Sequence, residues 1–318
     1  MKKFISLSLT LSLFVSCSVV QKVAVNTTAD LAHNGQQELQ TMNSWDAIKA
    51  AIPAQLAFAE TLIASNPHNT TLLAQLIKGN AGLGFAVFET QMLEKFNDVE
   101  QKKSFELQAK MAYTRAVNWG EKYFLEKNIS WNELLIGAND EQKLFELLKK
   151  NTSEEDHLAI FFTGQAWASL INLSRDYVRI VNHLPVARNL IRYVCEKDPQ
   201  FEKGMCTLFE AIYALSRPKM LGGNPDLGFK LFHEVQKKYP YNLLYPVTFI
   251  QFYLLPQKKF QDIKSLAEKL KPQFESYFEA QKIPKYLKSK NEFYNVPENN
   301  LYNSLAYIRY MAFLKMNN

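Results

Sequence analysis

Three cysteines, five histidines and one Gly-Gly-Asn-Pro loop are the residues with chemical potential in this 318-residue chain. The histidines, at 33, 68, 157, 183 and 233, form no His-x-x-x-His pair and no Cys/His cluster, so no metal or other cofactor is expected. No serine stands in a Gly-x-Ser-x-Gly turn, and no cysteine has a histidine beside it in the pattern. Carboxylate pairs such as Glu154-Glu155 suit a helix start, where they complement the dipole. These residues predict no catalytic constellation, and the chain is not expected to be an enzyme. In Leu221-Gly222-Gly223-Asn224-Pro225-Asp226 the glycines supply positive φ, Asn224 caps and Pro225 occupies a first helical turn. The same amides, with Lys219, could receive a ligand or partner group. No Gly-Lys-Ser/Thr follows, so this is not a phosphate loop.

Cys17 has the most prescriptive setting. Lys2 and Lys3 begin the chain, and residues 4–15 are apolar but shorter than the roughly 20 residues of a spanning helix. Phe14-Val15-Ser16-Cys17 resembles the bacterial lipobox, with Phe14 where Leu is usual and Leu13 one step upstream. This predicts a leader at 1–16 and a lipid on Cys17, each buried methylene contributing about 0.8 kcal/mol to anchoring. Ser18 points to the outer membrane by analogy with lipoprotein sorting. No later apolar stretch is uninterrupted over a spanning length, so the mature chain is expected to be anchored without crossing. Cys195 and Cys206 lie in apolar helical runs, where a buried free thiol is the usual form; an export compartment also permits them to bridge.

The composition, 47% hydrophobic and 13% aromatic, is enough for a substantial core. The formal charge of +6 is dispersed, with no basic stripe interleaved with aromatics, and no nucleic acid is expected as a partner. Phe161, Phe162, Trp167, Tyr245, Phe249, Phe252 and Tyr253 recur at helix-face spacing, which suits packing between helices or the lining of an apolar groove.

The elements that must position these residues are helical almost throughout. Apolar residues recur at three and four spacing over 45–65, 70–94, 103–126, 156–181, 184–196, 202–215, 225–238, 243–254, 260–280 and 300–315. Asn66-Pro67, Asp198-Pro199 and Tyr239-Pro240 mark short connectors. Counting back from Pro199 gives Ala187, Ile191 and Val194; counting back from Pro240 gives Gly228, Phe232 and Val235 at the same offsets. This spacing resembles the second helix of a tetratricopeptide repeat. The expected fold is all-α: stacked antiparallel helical hairpins in a degenerate tetratricopeptide-like (TPR) solenoid. The leader is followed by a polar, flexible tether over 17–44 and a single helical-repeat domain over 45–318.

Dispersed motifs then resemble the T-component lipoproteins associated with TRAP transporters. Asp46, Pro53, Leu56, Glu60, Pro67, Asn69, Leu72 and Leu73 match the opening pattern, and Ala109, Tyr113, Arg115 and Ala116 a second helix. Trp167–Asp176, Arg217–Pro225 with Phe232, and Asn303–Arg309 match later ones. Asn224 stands for the usual Asp, Gly228 for Ala and Tyr310 for Ala. Glycine at 228 is expected to loosen its helix by about 0.8–1 kcal/mol. The resemblance implies a periplasmic partner of a TRAP substrate-binding protein, trimeric, with a channel for a small, partly apolar or organic-acid ligand. It draws attention to Trp167, Lys219, Gly222, Gly223 and Asn224 as contact residues. The alternative is a general periplasmic TPR-like scaffold lipoprotein serving envelope or outer-membrane assembly.

Overall fold

Side-chain caps set where many of the helices begin in the computed structural model, which describes residues 20–35, 38–137, 140–217, 219, 222–287 and 290–316. After α1 (20–35), Ser44 opens α2 (Trp45–Ser65) by accepting from Ala47 N. Asn69 caps α3 (Thr70–Gly82) through Leu72 N, and a π-helical segment, Leu83–Phe88, leads without a break into α4 (Glu89–Glu94). Asp98 caps α5 (Val99–Glu126). Ser153 and Asp156 form a reciprocal capping box at the start of α8 (Glu154–Leu173). Between these lie α6 (Trp131–Gly137) and α7 (Glu141–Leu148), two short helices that the sequence pattern did not separate from loop.

The run expected over 156–181 is divided. α8 ends at Leu173, Ser174–Asp176 turn, and α9 (Val178–Val181) precedes α10 (Leu184–Lys197). α11 (Met205–Leu215), α12 (Pro225–Lys238) and α13 (Leu244–Phe249) follow, the last running into a second π-helical segment, Ile250–Leu254. α14 (Phe260–Lys282) and α15 (Asn300–Met316) close the chain. Among the described residues there is no strand.

Packing is all helix on helix: α3 lies against α5 and α8, α8 against α10, α11 against α12, and α15 against α4 and α14. The small-large-small triplets sit at these contacts. Ala187, Ile191, Val194, Gly228, Phe232 and Val235 are all buried. A β-carbon on Gly228 would stand 2.5 Å from Leu215 Cγ and 3.1 Å from the Ala211 carbonyl oxygen. Glycine here therefore lets α12 approach α11, and its poor helix propensity is the lesser effect.

Two expectations are corrected. Residues 20–35, expected within a flexible polar tether over 17–44, are helical, and Val25 and Ala29 pack into the core, with Gln75 Nε2 donating to Ala29 O at 2.9 Å. Its polar residues mark only the outer face of a one-sided helix. Cys195 and Cys206 are joined by a disulfide, with Cα atoms 5.5 Å apart, because the turn at 198–204 folds α11 back beside α10. Two helical stretches, Trp45–Ser65 and Thr70–Glu94, are long and apolar enough to cross a membrane by length and composition. Much of the second is buried against α5 and α8, as a core helix would be. Cys17 and the leader lie outside the described residues.

Candidate functional site

A cavity of about 390 Å³ opens between α8 and α11. Its walls follow from helical periodicity. Phe161, Gln165, Ala168 and Asn172 lie along one face of α8, and Met205, Leu208, Ile212 and Tyr213 along one face of α11. Arg175 and Arg217 stand just beyond the C-terminal ends of these two helices and also border the cavity. Arg175 is exposed while Phe161, Leu208 and Thr248 are buried, so the arginines mark the rim.

The inner wall comes from the two π-helical segments. A π turn is wider than an α turn and shifts the side chains that follow it around the helix. The first segment places Phe85 and Glu89 on the cavity, and the second, with the end of α13, places Phe252 and Thr248 there. Tyr113 OH donates to Glu89 Oε1 at 2.5 Å and Gln251 Nε2 to Glu89 Oε2 at 3.0 Å. Arg309 donates to Thr90 Oγ1 at 2.9 Å and also to Gln251 Oε1 and the Phe85 carbonyl, its guanidinium 4.0 Å from the Phe85 ring centre.

Glu89, Tyr113, Thr90 and Arg309 in this network are buried, while Gln251 and Phe85 are half-buried. Burial raises the Glu89 carboxyl above its ordinary range, against the pull of Arg309 and the two donors. Burial lowers Arg309 to about 10, partly offset by Glu89 and Tyr113. Both effects follow from burial, and the hydrogen bonds keep the pair in place. Thr248 Oγ1, also buried, has no hydrogen-bond partner. Sequence reasoning did not single out Glu89, Thr248, Gln251 or Arg175 as site residues. A carboxylate inside the apolar run Phe85-Ala86-Val87-Phe88-Glu89 was the one available signal.

The residues noted from the sequence are dispersed around this cavity. Trp167 is buried on the α8 side, stacked on Trp131 at 4.8 Å and tilted against His183, and does not line the cavity. Lys219 is exposed. Gly222 has φ +84°, and Asn224 caps α12 by accepting from Leu227 N at 3.1 Å while its own N–H donates to the Ala214 carbonyl. The loop is thus a built helix start next to the rim residue Arg217. Of the aromatic set, Phe161 and Phe252 line the cavity, whereas Phe249 and Tyr253 stack on each other and pack with Phe229. Among the described residues no three His, Cys, Asp or Glu side chains group as a metal site would require.

Among the described residues the fold is helical, around an apolar cavity with arginines at its rim. The chain belongs to the TRAP transporter T-component family, whose model matches residues 43–273. That family comprises transport accessory proteins and is not a family of enzymes. No curated protein matches the chain.

Proposed function

We propose that this protein is the periplasmic accessory component of a TRAP-type uptake system, docking the system's substrate-binding protein and holding a small apolar or organic-acid ligand. Family membership supports the transport setting. The observation that carries the ligand role is the apolar cavity between α8 and α11, whose size falls in the range of small-molecule sites. On this reading the helical hairpins form a TPR-like solenoid, and copies associate as a trimer. A lipid on Cys17 holds the protein at the outer membrane. Candidate contacts with ligand or partner are Lys219, Gly222, Gly223 and Asn224, which lie beside the rim.

The test is a native pull-down from the host envelope using the full chain, with a Cys17→Ser variant compared for membrane release. Recovery of a TRAP substrate-binding protein, together with release of the variant into the soluble fraction, supports the reading. Recovery of envelope-assembly factors without any substrate-binding protein would transfer it to the scaffold alternative.

A further inference from the structure

Helix α1 buries Val25 and Ala29, and its opposite side is not that of a water-facing helix. Val20, Val23 and Leu31 are 66%, 58% and 68% exposed. With Ala24 and Thr27, also exposed, they recur at three and four spacing and form one stripe facing away from Val25 and Ala29. The stripe itself carries no charge; Lys22 and Asp30 lie elsewhere around the helix.

The neighbouring surface shares this character. α2 packs against α3, and none of its exposed residues from Ala50 to Ser65 is charged. Phe58, in the middle of that stretch, is 54% exposed. By contrast, the exposed side of α14, a helix of similar length, carries Asp262, Lys264, Glu268, Lys269, Lys271 and Glu275. A surface helix ordinarily presents a polar face outward, as α14 does, so an uncharged outward stripe marks contact with something other than water.

The start of the chain identifies that medium. Val20 is three residues beyond Cys17, and an extended chain spans at most about 3.6 Å per residue, so a lipid on Cys17 holds the bilayer surface within about 11 Å of the first turn of α1. α1 is also tied to the body. Asn26 Oδ1 accepts from Asn66 Nδ2 at 2.8 Å and from Asn69 Nδ2 at 2.7 Å, and Gln75 Nε2 donates to Ala29 O. The stripe and the turn between α2 and α3 are therefore brought to the membrane together.

We propose that the outer stripe of α1 lies in the headgroup region of the bilayer as an interfacial helix, and that lipid and helix together fix the orientation of the body on the membrane. This rests on the lipid at Cys17 proposed above. The acyl chains supply the attachment. Val20, Val23 and Leu31, spread over about 16 Å of helix at 1.5 Å per residue, supply a second contact that stops the body pivoting about the anchor.

Nitrobenzoxadiazole fluorescence of the full lipidated chain in vesicles of phosphatidylethanolamine and phosphatidylglycerol tests it, with the label at Thr27→Cys in the stripe or at Glu268→Cys on α14. Emission at 27 should be blue-shifted, and nitroxide-bearing lipid should quench it several-fold more strongly than emission at 268. The variant Val20→Ser/Val23→Ser/Leu31→Ser should bring quenching at 27 down to the level at 268 while the protein stays on the vesicles. Its thermal midpoint should stay close to the parent's, because all three side chains are exposed. Equal quenching at the two positions, or quenching at 27 that survives the triple variant, would overturn the proposal. A blue shift at 27 that nitroxide lipid does not quench would also overturn it and assign the stripe to a protein surface. Failure of the full chain to float with the vesicles would overturn the Cys17 anchor itself.

Discussion

Arg309 Nε donates to Thr90 Oγ1 at 2.9 Å, so the last helix of the chain is tied to the helix that carries Glu89. The two residues are 219 positions apart, and the guanidinium is completely buried. The contact also braces the cavity's inner wall, since Phe85 and Gln251, which accept from the same guanidinium, belong to its two π-helical segments.

Replacing Arg309 with Met should destabilise the fold by about 3–5 kcal/mol, because it leaves the Glu89 charge and the Gln251 and Phe85 acceptors buried without their partner. Adding Glu89→Gln should recover part of that loss. Urea unfolding of the two single variants and the double variant measures the coupling, and strictly additive effects would contradict it.

Glu89 also makes stability depend on pH. Its folded pKa lies above the ordinary value of 4.5, so the native state holds the proton more tightly than the unfolded chain does. Its contribution is fully present below 4.5 and is lost as pH rises through the raised folded value. The Glu89→Gln variant should lack this decline, seen as a flatter plot of thermal midpoint against pH above 4.5 than the parent gives.

Asp156 has the opposite sign. Burial acts to raise its pKa, but hydrogen bonds from Tyr123, Lys127 and Ser153 outweigh it and hold the carboxyl below 3.8. Its stabilisation is present above 3.8 and is lost as pH falls through the lower folded value. Asp156→Ala removes the capping box and strands Lys127, which lies 2.9 Å away, at a cost of about 2–4 kcal/mol at neutral pH. In denaturant titrations the gap between parent and variant should be full at neutral pH and should narrow as pH falls below 3.8.

At position 228 alanine should be worse than glycine, although alanine is the better helix former. The β-carbon would meet Leu215 and the Ala211 carbonyl, and the strain should cost about 1–3 kcal/mol. A gain in thermal midpoint for Gly228→Ala would show that α11 and α12 can separate freely.

The Cys195–Cys206 bridge closes a short loop, and its loss through a paired Cys→Ala change should lower stability by about 2–3 kcal/mol. Thiol labelling of the denatured mature protein before and after reduction checks the pairing: two additional reactive thiols should appear only after reduction.

Much of the scaffold was legible because helix periodicity and capping are local. The runs at 45–65 and 225–238 match α2 and α12, the second with Asn224 as its cap. Asn224 and Gly222 likewise do what the loop sequence implied. The short helices α6 and α7 escaped because each shows barely two turns of pattern, and residues 20–35 because a helix with one buried face can be mostly polar.

The sequence by itself determined the helical class, some of the helix starts, the close-packing triplets and the family motifs, all written in residues near one another in the chain. Only the tertiary structure decided the site. Glu89, Thr248, Arg175 and Arg217 come from separate parts of the chain and border one cavity because of how α4, α8, α11 and α13 pack and where the π turns re-aim side chains. The disulfide was decided in the same way: 11 residues of separation fix no distance until the turn at 198–204 lays α11 against α10. Burial, which sets the protonation of Glu89 and Arg309, is a property of the assembled packing and has no local signature in the chain.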